Sequence, residues 1–413
     1  MRERIKRTII KSKNDDLIKS SFFLISNTGT VSILGFLFWT LAAWLFTVQE
    51  LGLATTTISA LSVISSFASL GLSVALLRYM PNEKNKDKLF WSAIWISVLL
   101  SIILTGVFIF VLKWIFPELT FIQESLIFII IVLISGSSAA PFKLIESLFL
   151  TKRKSSYVLS KNSLWGILRL LGLVILKSFG MIALVIAWFF SQIISTVVYL
   201  KLMKEKVVYG IDKKSIKKML PLGMANYISM ISTKFQEIGF PLYVAILWGV
   251  ESTAYFYISW MIANSLFAVS RSVGMSFLTE SSHNKNTSFK KALGITYGIT
   301  ILGIVLGLIF GKSVLSIFGE AYVSNGLALF KILLFSSVFF GFNQLMLMYY
   351  NFKEEKGSVR WINFSIVLLT IICSTFFLSK GVIAIGIGWL IANFIVFLIL
   401  GIKSKKILFN QKA

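Results

Sequence analysis

Apolar blocks of about 20 residues or more punctuate the chain from end to end, each long enough to cross ~30 Å of hydrocarbon as a helix. A water-soluble fold has too little polar surface to cover them: hydrophobic residues make up 56%, charged residues 14%, and the mean hydropathy is +0.84. The blocks run without the strict in-and-out alternation of a membrane β-barrel, so bundled helices are left as the way to satisfy backbone hydrogen bonds in lipid. The fold class expected is an all-α polytopic membrane protein. About twelve spans fit, near 20–47, 51–79, 89–112, 121–150, 157–177, 180–201, 218–247, 252–280, 290–311, 325–350, 358–379 and 382–403.

Charge tests that division independently of hydropathy. Of 41 Lys and Arg, 32 fall in the N-terminal segment, the loops after even-numbered spans and the C-terminal tail, with residues at span edges counted in the adjoining loop. The four at the loop after span 4 are Lys152, Arg153, Lys154 and Lys161. The opposite loops hold four, Lys113, Lys177, Lys312 and Lys380. That bias places both termini in the cytoplasm of a multi-pass cell-membrane protein and makes the span count even. It also accounts for the formal charge of +24 through topology and anionic headgroups, so nucleic acid is not a partner. Residues 1–19 are expected to be a retained cytoplasmic leader, with a linker at 206–217 and a cytoplasmic tail at 404–413.

The two halves, 20–205 and 218–403, repeat. Gly180-Met181-Ile182-Ala183-Leu184-Val185-Ile186-Ala187-Trp188 is matched 201 residues later by Gly381-Val382-Ile383-Ala384-Ile385-Gly386-Ile387-Gly388-Trp389, and the same offset carries Asn162 onto Asn363 and Lys152 onto Lys353. An offset of 204 pairs Gly35-Phe36 with Gly239-Phe240 and Trp44 with Trp248. Six spans per copy means that both enter from the same side. Two six-helix lobes are therefore expected about a pseudo-two-fold along the membrane normal, enclosing a cavity suited to alternating access.

Charges inside spans single out the candidate site, because an ionised side chain at a helix centre costs about 2.5–3.5 kcal/mol unless water, a partner or a ligand meets it. Five basic residues qualify as substrate-binding candidates: Lys143, Arg169, Lys234, Arg271 and Lys331. Lys143 shares a helix face with Glu146 and Lys234 with Glu237, both at i, i+3, which makes Glu146 and Glu237 the candidates for coupling to H⁺ or Na⁺. An interior with five cations and two carboxylates suits an anion, and arginine grips phosphate oxygens through paired hydrogen bonds, so a phosphorylated headgroup is the expected guest. Aromatic side chains such as Tyr227, Tyr243, Tyr255, Tyr257, Trp260, Tyr349 and Tyr350 serve interfacial belts and packing, or stacking on sugars.

No enzymatic constellation is visible. The one histidine, His283, and the one cysteine, Cys373, make no catalytic or metal-ligand set, so neither metal nor cofactor is expected. No loop is long enough for the acid-bearing domain of a membrane glycan polymerase, which is one alternative function, and a multidrug antiporter, the other, would place more acids in its helices.

Gly35-Phe36 through Glu50-Leu51-Gly52-Leu53-Ala54-Thr55, then Gly71-Leu72 and Leu77-Arg78-Tyr79-Met80-Pro81, resemble the opening helices of polysaccharide biosynthesis flippases of the multidrug/oligosaccharidyl-lipid/polysaccharide (MOP) exporter superfamily. Phe318-Gly319-Glu320-Ala321-Tyr322 is similar to a turn of the same family. The resemblance implies two six-helix lobes in a V, a cavity lined by spans 1, 2, 7 and 8, and movement of a polyprenyl-linked glycan from the inner to the outer leaflet. It further implies membrane lipids and glycan-assembly enzymes as partners, and headgroup contacts at Lys234 and Arg271.

Overall fold

The structure is a computed structural model that describes residues 16–283, 289–353 and 355–409; side chains at 16–19, 21, 225–234, 279, 280, 282, 283, 356 and 404–409 lie outside that description. The described residues are almost wholly helical and contain no strand. Eleven stretches are long and apolar enough to cross a bilayer. One of them, Phe235–Leu278, runs 44 residues, or ~66 Å if straight, about twice the hydrocarbon thickness. Gly249, at φ 80° and ψ 174°, breaks it, at the boundary expected from hydropathy between spans 7 and 8. A side chain at that φ would be strained, which is why glycine stands at the break.

The chain divides into two compact units, Met1–Met230 and Ile231–Ala413. Unit 1 contains α1 (Asp16–Leu45), α2 (Val48–Ala68), α3 (Leu72–Tyr79), α4 (Lys86–Ile115), α5 (Leu126–Thr151), α6 (Ser155–Leu176), α7 (Met181–Leu202) and most of α8 (Lys213–Lys234). Unit 2 follows from a π-helical turn, Phe235–Gly239, into α9 (Phe240–His283), α10 (Phe289–Ser316), α11 (Glu320–Phe352), α12 (Lys356–Thr375) and α13 (Ile383–Phe409). Thr47 and Glu50 cap α2 reciprocally: the Thr47 hydroxyl accepts from the Glu50 N–H at 3.2 Å and the Thr47 N–H donates to Glu50 Oε2 at 2.8 Å.

The division falls inside α8 because the first turns of that helix pack on unit 1. Met219 is fully buried in a cluster with Leu72, Leu76, Phe90, Trp91, Ile145 and Phe149, a burial worth about 1.5–3 kcal/mol. Between α2 and α3 the backbone turns through Leu70 (φ 47°) and Gly71 (φ 67°), and Gly223 of α8 lies against that turn. A Cβ on either glycine would collide with backbone, on Gly71 with the Gly223 carbonyl and on Gly223 with the Leu70 carbonyl.

Residues 203–217 fold onto the same end of unit 1. Trp95 Nε1 donates to the Val208 carbonyl at 2.9 Å and stacks on Tyr209, and the Asp212 N–H donates to Ser92 Oγ at 2.9 Å. Ion pairs join Lys152 to Glu205, Lys218 to Glu83 and, at 3.7 Å, Lys88 to Asp212. The hydrogen bond from Lys218 holds the Glu83 carboxyl below its usual range, and bonds from the Ser215 hydroxyl and N–H do the same for Asp212.

The internal repeat is structural as well as sequential. At an offset of 201, the 3₁₀ turns Lys177–Phe179 and Leu378–Lys380 coincide, and Gly180 (φ 57°, ψ −142°) and Gly381 (φ 61°, ψ −145°) follow them with the same backbone. The bond from the Lys154 N–H to the Phe149 carbonyl at 2.8 Å recurs between Glu355 and Tyr350 at 2.9 Å. α5 ends at Thr151 where α11 ends at Phe352, and α6 starts at Ser155 where α12 starts at Lys356.

Candidate functional site

In unit 2 two of the candidate charges interact, Glu237 of the π turn and Arg271 of α9. A π turn admits one residue more than the α-helical repeat and turns neighbouring side chains out of their regular stripe, a feature concentrated at functional sites. Here it carries Gln236 and Glu237. The Gln236 side chain is 6% exposed, and its amide nitrogen has no hydrogen-bond partner among the described residues. Glu237, partly buried, stands close enough to attract the Arg271 guanidinium of α9. Arg271 Nη2 donates to Asn264 Oδ1 at 2.7 Å, two helical turns back along α9, and its Cζ lies 5.8 Å from the centre of the Phe340 ring on α11. The result is a partly exposed guanidinium with one amide and one ring fixing its direction, beside an acid on a neighbouring helix.

Unit 1 treats its charges differently. Arg169 on α6 is 1% exposed, with its Cζ 4.1 Å from the Trp165 ring, 4.7 Å from Trp188 and 5.0 Å from Phe38. These rings pack mainly edge to face, and Trp165 Nε1 donates to the Trp188 carbonyl at 3.0 Å. Gly35 of α1 lies alongside the guanidinium: a Cβ there would stand 3.6 Å from Arg169 Nη2, in ordinary contact. Ring faces, which carry partial negative charge, therefore meet the buried cation.

Two turns toward the start of α6 lies Lys161, also fully buried. Its Nζ donates to the Phe142 carbonyl at 2.7 Å and to Glu146 Oε1 at 3.1 Å, and lies 3.3 Å above the Phe142 ring. Asn162 Nδ2 donates to the same Glu146 oxygen at 3.0 Å and to Asn27 Oδ1 of α1 at 2.9 Å. Sequence reasoning assigned Lys161 to the loop after span 4 and gave Glu146 the neighbouring Lys143 as its partner. In the fold, Glu146 of α5 is held across the helix pair by Lys161 and Asn162 of α6. Lys143 is exposed and acts on the Lys161 charge through space.

The other two candidates lie elsewhere. Lys331 is exposed on α11. Lys234 is the last residue of α8, immediately before the π turn, and its side chain lies outside the described residues. The structure thus brings Glu237 and Arg271 together in unit 2, and Lys143, Glu146 and Arg169 onto neighbouring helices of unit 1. Gln236, Asn264 and Lys161 are the additions. Among the described residues, no group of three or more His, Cys, Asp and Glu side chains could hold a metal.

Comparison with solved structures identifies this helical architecture. It is similar to the lipid II flippase MurJ in an inward closed conformation, with a TM-score of 0.74 at 19% identity, covering 94% of this chain and 90% of that one. An inward-facing multidrug resistance transporter of the MATE family, of the MOP superfamily, matches with a TM-score of 0.72 at 12% identity over 94% and 98% of the two chains. A MOP superfamily transporter from Pyrococcus furiosus, described as having a binding pocket of reverse polarity, matches at 0.62 and 14% over 96% of each. At these identities the likeness is one of fold. No curated protein matches the chain. The family model described as polysaccharide biosynthesis protein matches residues 41–274, more than half of the sequence, and the chain belongs to that family.

Proposed function

We propose that this protein is a flippase that moves a polyprenyl-phosphate-linked glycan from the cytoplasmic to the outer leaflet of the cell membrane by alternating access, with both termini cytoplasmic. Family membership and the fold shared with a lipid II flippase support the class of cargo. The observation that carries the reading is Arg271: a partly exposed guanidinium on a membrane-spanning helix, aimed by Asn264 and Phe340. A charge held in that way costs the fold free energy that a diphosphate headgroup would repay through bidentate hydrogen bonds.

In this reading Arg271 grips phosphate oxygens, Lys234 adds a second positive charge, and the Gln236 amide donates to a phosphate or sugar oxygen. Glu237 binds a proton or Na⁺ as the headgroup leaves. Lys143 and Lys331, exposed, take secondary contacts with the headgroup, while Arg169, beneath its rings, contributes positive potential. No step makes or breaks a covalent bond, so the protein acts as a transporter.

The test is deletion of the protein, followed by leaflet-resolved measurement of lipid-linked glycan. Accumulation in the inner leaflet, relieved by the wild-type protein and not by Arg271→Ala, is expected. Unpolymerised glycan in the outer leaflet would point instead to a polymerase.

A further inference from the structure

The repeat supplies its own control for the charges buried in unit 1. At the offset of 201, Glu146 corresponds to Leu347, Lys161 to Ile362 and Arg169 to Thr370, all buried, whereas Asn162 keeps its amide as Asn363. The helix pair therefore closes equally well with a leucine and an isoleucine where unit 1 has an acid and a base. The ammonium is fully buried and the carboxylate partly exposed, and a desolvated charge with its partner is commonly no more stabilising than well-packed apolar residues of similar volume, so packing alone does not call for the pair. Its surroundings have the chemistry of a cation site: a main-chain carbonyl, a carboxylate oxygen and an aromatic face around one nitrogen. Asn162, only 5% exposed, braces the carboxylate by donating to Glu146 Oε1 and to Asn27 Oδ1.

We propose that the Lys161 ammonium is a tethered cation seated in a small monovalent-cation site of unit 1 formed by the Phe142 carbonyl and ring and by Glu146, whose carboxylate is braced by Asn162 and, through it, Asn27. A lysine ammonium is a compact point charge that takes oxygen ligands as a small free cation does. Supplied by the chain, it keeps Glu146 ion-paired without an ion drawn from either side of the membrane. Any ion that drives transport then binds in unit 2. The inference concerns unit 1 alone and does not depend on the identity of the cargo.

The test uses the full-length protein purified in detergent, with thermal unfolding followed in NaCl, KCl or NH₄Cl against N-methylglucamine chloride at equal ionic strength. Because Lys143 could swing into an emptied site, Lys161→Ala is measured alone and together with Lys143→Ala. At least one small cation is expected to raise the unfolding temperature of one of these variants on the order of 3 °C, saturably, with no such preference in wild type or in Lys161→Ala combined with Glu146→Gln. Glu146→Leu combined with Lys161→Ile, the unit 2 pair, should fold and show no preference. Three results would overturn the proposal: no difference between small and bulky cations in either alanine variant, alanine variants unfolded in every salt, or failure of the leucine–isoleucine variant to fold.

Discussion

The hairpin of α5 and α6 in unit 1 and its counterpart in unit 2, the end of α11 with α12, share helix ends and the turn between them, yet their centres are filled with different chemistry. Unit 1 buries Lys161 and Arg169 and leaves Glu146 partly exposed, while unit 2 buries Leu347, Ile362 and Thr370 at the same positions. The aromatic residues diverge in parallel. Trp188 and its neighbours roof a guanidinium, whereas the equivalent Trp389 packs among Phe240, Trp260, Phe267 and Phe340. Unit 2 keeps its charge at Arg271, where part of it remains exposed. One scaffold thus supports a charge sealed inside and a charge held near the surface, and the difference lies in side chains that the backbone geometry does not require.

The largest effect should come from unbalancing the sealed charges. Glu146→Ala strands a fully buried ammonium and is expected to cost about 3–5 kcal/mol, whereas the exchange of the pair for leucine and isoleucine should fall within about 1 kcal/mol of wild type or exceed it. Denaturant unfolding of the purified protein measures both, and an equal loss in the two variants would break the comparison. Next in size, Arg169→Met removes a desolvated cation from three ring faces, for about 2 kcal/mol. At the equivalent site in unit 2, Thr370→Val removes a hydroxyl bonded to the Ile366 carbonyl at 2.6 Å, for about 1 kcal/mol.

The helical class, the repeat and most spans could be read from the chain because each rests on runs of like residues, and a run survives an error of a few residues at either end. Lys161 escaped because a single charge does not. With the start of span 5 placed at 157, Lys161 counted as an edge residue, but α6 begins at Ser155 and carries it deeper. A signal was present. Glu146 lies five residues before the end of α5 and Lys161 six residues after the start of α6, so a tight reversal at 152–154 brings them to the same depth. The i, i+3 rule, which favoured Lys143, sees only one helix. The π turn and the break at Gly249 escaped for another reason: both are departures from a regular repeat, and hydropathy averages over them.

The smallest expected effect concerns residues 203–217, which fold onto one end of unit 1. Glu83 and Asp212 have folded-state pKa values below their ordinary ones, so their contribution is present above the ordinary carboxylate range and is lost as pH falls through the lower folded values. Hydrogen-exchange protection of the Asp212 amide, which donates to Ser92 Oγ, corrected for intrinsic rates, should be constant from about pH 8 to 5 and decline below about pH 4. Protection that falls already near neutral pH would show that these carboxylates do not hold the segment.

The most direct measurement is the rate at which the purified protein moves a fluorescent polyprenyl-diphosphate glycan across proteoliposomes. Loss of the charge-assisted hydrogen bonds in Arg271→Ala should slow it about tenfold to a hundredfold, with Arg271→Lys in between and the amount and orientation of protein in the vesicles unchanged. A wild-type rate in both variants would contradict the assignment of Arg271 to the headgroup, and a wild-type protein that moves no lipid-linked glycan would contradict the function itself.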